Sequence, residues 1–271
     1  MNQGEDSEPK FIAALGSLIN QKVILSGQYN KTLTISSIQL PGPNGMRFPL
    51  GSHPTKPTLL QLSGYTNQQL NNHFKSSNIK KSSPLNKADV YINGLGISTK
   101  YIGPGSNPAI VNHTNRVGWE NVSNLISQNI NQLDLIISDY WNRRKNLKVI
   151  QEDIKNSDPQ SPFSPHQSIL EPYLEFFCFD GSGRGKSKHP ADAIIEYTDP
   201  FKTNTWTLVY RNQFHQYLKS NWSNLRFSLR SKGMPEYGVS SIRNPAKRAS
   251  IQLWTEYFQA KERGALHVRL R

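Results

Sequence analysis

The chain has 271 residues, enough to bury a large core in a single domain. Its 32 Lys plus Arg against 19 Asp plus Glu give a formal net charge of +13, a field that favours polyanions such as DNA, RNA or an anionic membrane surface. One cysteine, Cys178, excludes an intrachain disulfide and a four-cysteine zinc site; the acidic start and the lack of any run near 18 apolar residues argue against secretion and membrane spanning and for a reducing cytoplasm.

In chain order, residues 1–8 read as a frayed tail and Phe11–Ile19 as a short helix. Lys22–Leu25 and Thr32–Ile35 are expected strands around a turn at residues 27–30. Residues 40–57, rich in Pro and Gly, should be loop. Leu59–Phe74 reads as a polar, acid-free helix, with Thr66 and Gln69 spaced as a capping box. Residues 75–87 are a basic approach to a hairpin over residues 89–100. Residues 103–117 lack periodicity. From Trp119 to near Trp141 the apolar residues recur mostly three and four apart, which predicts one helix.

Residues 145–151 are compatible with strand or helix, and 153–166 with a loop or linker. Ile169–Phe179 opens a second structured stretch, in which Cys178 reads as a buried small hydrophobe. Residues 180–190 form a basic loop. Ala193–Tyr197 and Trp206–Tyr210 are strand-like, a helix falls near Asn212–Leu218, and Pro245 opens a helix over Ala246–Gln259. His267–Leu270 alternates like an edge strand. Strands interspersed with helices indicate an α/β fold with a mixed central sheet flanked by helices, treated as one domain over 1–271 in which 181–271 contributes a basic DNA-contact region.

The hairpin carries the chemistry. Asn93-Gly94 fits the two central turn positions, which pairs Ile92 with Leu95, Tyr91 with Gly96, Val90 with Ile97 and Asp89 with Ser98. Ser98 and Lys100 then share one face, joined by Asp89 from across the ladder, while Val90, Ile92, Ile97 and Thr99 point the other way. Asp89 is an oxygen ligand suited to Mg²⁺, and the carbonyl of Thr99 is a second. Lys100 is placed to orient water or stabilise developing charge, and Ser98 to hold a water through its hydroxyl. Exposed Asp, Ser and Lys on a hairpin are also common decoration.

Asp89, and Ser98 two residues before Lys100, resemble the PD-(D/E)xK nuclease superfamily, above all its type II restriction endonucleases. The pattern places an acid at the start of one strand and a second acid two residues before a lysine on the next. Ser98 stands where that second acid is usual, and Asn86-Lys87-Ala88 replaces the usual proline. Glu120 and Glu8 are the candidates for the missing acid, Glu8 being the poorer because of its place in the tail. Leu170–Tyr173 and His189–Tyr197 look similar to the later half of small enzymes of this type that cut four-base sites.

The resemblance implies a restriction-endonuclease-like sheet, Mg²⁺ dependence, direct hydrolysis of double-stranded DNA to 5′-phosphates, a homodimer and a prokaryotic cytoplasm. The alternatives are a nuclease for RNA or repair intermediates, and a non-catalytic nucleic-acid-binding protein.

Asp192 and Glu196, four residues apart on a strand, would sit about 13 Å from each other, too far to share one ion. Gly181–Ser187 lacks the spacing of an ATP-binding loop and suits either a DNA-contact loop or plain surface. His189 suits a phosphate contact or a loop cap, and His113 and Arg116 lie near the hairpin in sequence. From Arg211 to Arg271 there are 12 Lys plus Arg and three acids. The expected DNA contacts are Arg184, Lys186, Lys188, Arg226, Arg230, Lys232, Arg243, Lys247 and Arg248.

Overall fold

The computed structural model describes residues 3–26, 32–51, 56–103 and 109–270; the turn expected at 27–30 lies outside them. The chain opens with α1 (Gln3–Ser17), the strands β1 (Gln21–Ile24), β2 (Thr32–Ile35), β3 (Ile38–Pro41) and β4 (Arg47–Pro49), the helices α2 (Leu59–Gly64) and α3 (Asn67–Ser76), and the strands β5 (Val90–Ile92) and β6 (Leu95–Tyr101). Next come β7 (Ala109–Thr114), α4 (Arg116–Leu125), α5 (Ile130–Trp141), β8 (Ile154–Lys155), α6 (Gln167–Glu175), β9 (Gly181–Ser182) and β10 (Gly185–Lys186). The last third holds β11 (Ala193–Tyr197), β12 (Trp206–Tyr210), α7 (Phe214–Asn221), β13 (Leu225–Arg230), α8 (Pro245–Gln252), β14 (Glu256–Phe258), β15 (Lys261–Arg263) and β16 (Ala265–Leu270). The fold is mixed α/β.

Two compact units form. One comprises residues 1–109, 178–180 and 187–214; the other comprises 110–177, 181–186 and 215–271. The basic segment 181–271 is therefore shared between them.

The first unit is built on a six-stranded mixed sheet in the order β12-β11-β6-β5-β3-β4. Only β11 and β6 run parallel, pairing Ile195 with Thr99 and Glu196 with Lys100; the other neighbours are antiparallel. Helix α1 covers one face. Its Phe11, Ile12 and Leu15 are fully buried with Val90, Ile97, Ile195 and Tyr197. The Phe11 ring stacks on Tyr197 at 4.6 Å and packs against Trp206 at the same distance. Phe11→Ala should cost about 3–5 kcal/mol, the range for truncating a buried aromatic, as measured by denaturant unfolding; a loss within error would show that this helix does not anchor the sheet.

Helix α1 begins at Gln3 and runs through Pro9, so the frayed tail expected over residues 1–8 is corrected. Burial overrides local propensity: Ser7 and Glu8 are buried, and Tyr197 Oη donates to Ser7 Oγ at 3.1 Å. The long polar helix is two helices, each with its own capping box, Thr58 with Gln61 and Thr66 with Gln69. The loop expected over 40–57 contains the β3–β4 hairpin, with residues 52–55 outside the described range.

In the second unit a four-stranded sheet runs β7-β16-β13-β8. The terminal strand is thus interior, between β7 and β13, and not the edge strand its alternation suggested. The Trp119–Trp141 helix breaks into α4 and α5, where Ser127 takes φ 55° and Asn129 caps α5. Helix α8 stops at Gln252, short of the expected Gln259, and the following residues form the β14–β15 hairpin, whose turn Gln259 and Ala260 make with positive φ. Residues 142–146 extend α5 as one wide π turn, so neither a new strand nor a separate helix forms there.

Candidate active site

The hairpin turns as its residues dictate. Asn93 and Gly94 take φ 54° and 85°, and the pairs Ile92–Leu95, Tyr91–Gly96 and Val90–Ile97 form as expected. The ladder then stops. Asp89 N–H donates to Ile97 O at 2.8 Å, so Asp89 does not step forward to pair with Ser98. Its carboxylate takes the next donors on β6 instead: Oδ2 accepts from Thr99 N at 2.7 Å and from Thr99 Oγ1 at 3.1 Å. Oδ1 accepts from Ser82 Oγ at 2.6 Å.

This geometry puts Asp89 on the α1 face of the sheet, with Thr99. Ser98 and Lys100 alternate with Thr99 and emerge from the opposite face, beside Ile194 and Glu196 of β11. The single-face arrangement of Asp89, Ser98 and Lys100 is therefore corrected; the early end of the ladder is its cause. Thr99 N–H points toward Asp89, and the carbonyl of the same residue shares that edge. Ser98 is 2% exposed, and Glu196, at Lys100's side, is buried.

The partner of Asp89 is Glu8. Helix α1 delivers its carboxyl to the same spot, where Oε1 accepts from Ser82 N at 2.6 Å. Ser82 thus holds both acids, one through its backbone and one through its hydroxyl. Burial first, and the nearby Asp89 charge after it, push Glu8 up to about 7 against the opposing bonds from Ser82. Two signals in the chain marked this residue. Glu8, Phe11, Ile12 and Leu15 share one helical face, and no Asp or Glu occurs anywhere from Pro9 to Ala88, a stretch with nine Lys plus Arg.

Two ammonium groups act on the pair, Lys81 on Glu8 and Lys87 on Asp89. Half-buried Lys87 is lowered to about 8, first by desolvation and then by Lys100, while Asp89 and Cys178 pull it back up. Lys87 therefore feels the charges of both Asp89 and Lys100. Cys178 is partly exposed, not the buried hydrophobe expected from its apolar neighbours. Among the described residues no group of three or more His, Cys, Asp or Glu gathers as a metal cluster. The oxygen donors at hand are the two carboxylates and the Thr99 carbonyl edge.

The other candidates are placed as follows. Glu120 belongs to the second unit, where Arg116 and Ser250 hold its carboxylate. Arg116 is itself buried against Asp134, which makes it a packing residue. His189 is 1% exposed, bonded through Nδ1 to Tyr91 Oη and through Nε2 to Gly42 O, so it closes a loop. Asp192 accepts from Gly96 N at 2.7 Å and tethers β6.

Of the basic residues, Lys188 lies in the first unit, 3.3 Å from Asn44 Oδ1. Arg184 and Lys186 are exposed on the β9–β10 hairpin, and Lys232, Arg243 and Lys247 are exposed in the second unit. Arg226 is half-buried. Arg230 is drawn toward Glu152 and Asp153, and Arg248 donates to Ile242 O at 2.8 Å. Among the described residues no helix is long and apolar enough to cross a membrane.

Compared with family models, curated proteins and solved structures, the chain finds no match.

Proposed function

We propose that the chain is a Mg²⁺-dependent, sequence-specific endonuclease of the restriction type. It hydrolyses double-stranded DNA to 5′-phosphates and acts as a homodimer, with one site per strand of a symmetric target. The observation that carries this reading is the Glu8–Asp89 pair held by Ser82 beside the Thr99 carbonyl edge. Two carboxylates this close repel, and a hard divalent cation relieves that repulsion with donors it prefers.

The donor set fits Mg²⁺: Glu8, Asp89 and the Thr99 carbonyl would hold it. When bound, the ion supplies charge neutralisation at the scissile phosphate and acidifies water. The chain's own residues do the rest. Ser82 and Thr99 fix the Asp89 carboxylate, and α1 fixes Glu8. Lys87, whose proton affinity the Lys100 charge lowers, offers an ammonium group to stabilise charge on the phosphate and to orient water or pass it a proton. A cytoplasmic, DNA-cutting role accords with the +13 charge.

One observation favours a second reading, a non-catalytic DNA-binding protein: Lys100 leaves the sheet on the face opposite Asp89. Cleavage of unmethylated phage DNA separates the two. Discrete fragments that need Mg²⁺, vanish in EDTA, disappear in Glu8→Ala and Asp89→Ala and form more slowly in Lys100→Ala are the expected result. Retarded but intact DNA would establish the binding protein, and fragments that survive all three substitutions would move the chemistry elsewhere.

A further inference from the structure

Helix α3 stands out among the surfaces not yet used. Leu70 and His73 are buried, while Gln68, Asn71, Asn72 and Lys75 form one exposed row at helical spacing. Gln68 Nε2 donates to Asn72 Oδ1 at 3.4 Å, which pre-orders two amides on that row. The row continues past the helix end to Lys80, over an open depression floored by Phe74 and Ile79. The entire segment from Pro9 to Ala88 lacks acids, so nothing there repels a polyanion.

The helix end is also close in the chain to the acid pair. Asn78 takes φ 54°, its N–H bonds to Lys75 O, and Ile79 N–H bonds to Phe74 O at 2.8 Å. This is a Schellman stop, locked by burial of Ile79 against the core that Phe74 also joins. Four residues after Asn78 comes Ser82, which holds both carboxylates, so the helix end lies at most about 14 Å along the chain from them.

Amide side chains pair with adenine: Asn or Gln makes two bonds to its N6 and N7 edge in the major groove. We infer that α3 is the base-reading element of the site, entering the major groove of duplex DNA with Gln68, Asn71 and Asn72 toward adenine while Lys75 and Lys80 follow phosphate. This rests on the nuclease reading above and adds its specificity to it: the target contains adenine within a few base pairs of the cut.

The test uses the full-length protein and the site mapped for the wild type. Single substitutions Gln68→Ala, Asn71→Ala and Asn72→Ala should slow cleavage of that site, the strongest by about 10–100-fold, with thermal midpoints unchanged because all three side chains are exposed. N6-methyladenine within the site should block the wild type. Lys75→Ala should instead weaken binding to all sequences alike and lower the salt slope by about one. Variants that cut the same site at the wild-type rate would overturn the inference and leave the nuclease standing. If the wild type cuts no DNA, the nuclease reading fails separately, and α3 is decided by anisotropy of a labelled adenine-rich duplex: weaker binding by the amide variants supports it, equal binding overturns it.

Discussion

Glu8→Gln is expected to slow cleavage by about 10²–10³-fold, the scale of removing one group that stabilises transition-state charge, and at the same time to make the protein more stable at pH 8. The stability gain follows from burial. Glu8 has its ordinary value near 4.5 in the unfolded chain and about 7 when folded, so the folded state holds this proton more tightly. The stability that the proton brings is complete below about pH 4.5 and is lost as pH rises through 7. Each pH unit of displacement corresponds to about 1.4 kcal/mol, so the wild type forfeits on the order of 3 kcal/mol at pH 8.

Glutamine never ionises and keeps that stability. The variant should therefore melt several degrees above the wild type at pH 8 and together with it near pH 4.5. Mg²⁺ should raise the midpoint of the wild type at pH 8 and leave the variant nearly unmoved, because the ion relieves a repulsion that the variant lacks. Calorimetry at the two pH values, with and without Mg²⁺, reads all of this. A variant no more stable than the wild type at pH 8 would mean that Glu8 is not held as a buried acid beside Asp89.

The cleavage rate should follow a bell in pH, with its optimum between about 7 and 8. Below it Glu8 keeps its proton and cannot act as an anionic ligand; above it Lys87 loses its charge. Burial comes first in lowering Lys87, since a half-buried ammonium lacks water, and Lys100 adds like-charge repulsion. Lys87→Arg keeps a permanent charge and should carry the alkaline limb upward by more than a pH unit at a reduced maximum. Lys87→Met should lower the rate by about 10²-fold or more at every pH. Lys100→Ala removes the repulsion and should shift the same limb upward while slowing cleavage. An alkaline limb that stays in place in both Lys87→Arg and Lys100→Ala would assign it to another group.

The hairpin was readable because its information is local. Asn93-Gly94 demands positive φ at two adjacent residues, and that requirement alone sets the register of Val90, Tyr91 and Ile92 against β6. The capping box at Thr66, the strands β11 and β12, and the mixed α/β character were legible for the same reason: each rests on neighbours a few residues apart.

The early end of the β5–β6 ladder was not legible, because a carboxylate that takes a backbone N–H in place of a carbonyl leaves no periodic trace. Helix breaks at Ser127 and in the segment after Gln252 escaped too, since an apolar period continues across a turn without marking it. Glu8 is the clearest case. Only the packing of Phe11 on Tyr197 and Trp206 carries α1 back through Pro9 and sets its acid beside Asp89, at the other end of an acid-free stretch. Composition and local turn chemistry thus specified a basic α/β protein with one hairpin that bears Asp89, Ser98 and Lys100. The choice of the second carboxylate, the separation of Asp89 from Lys100 across the sheet and the perturbed proton affinities of Glu8 and Lys87 arose from long-range burial, which brings together charges that sequence distance keeps apart.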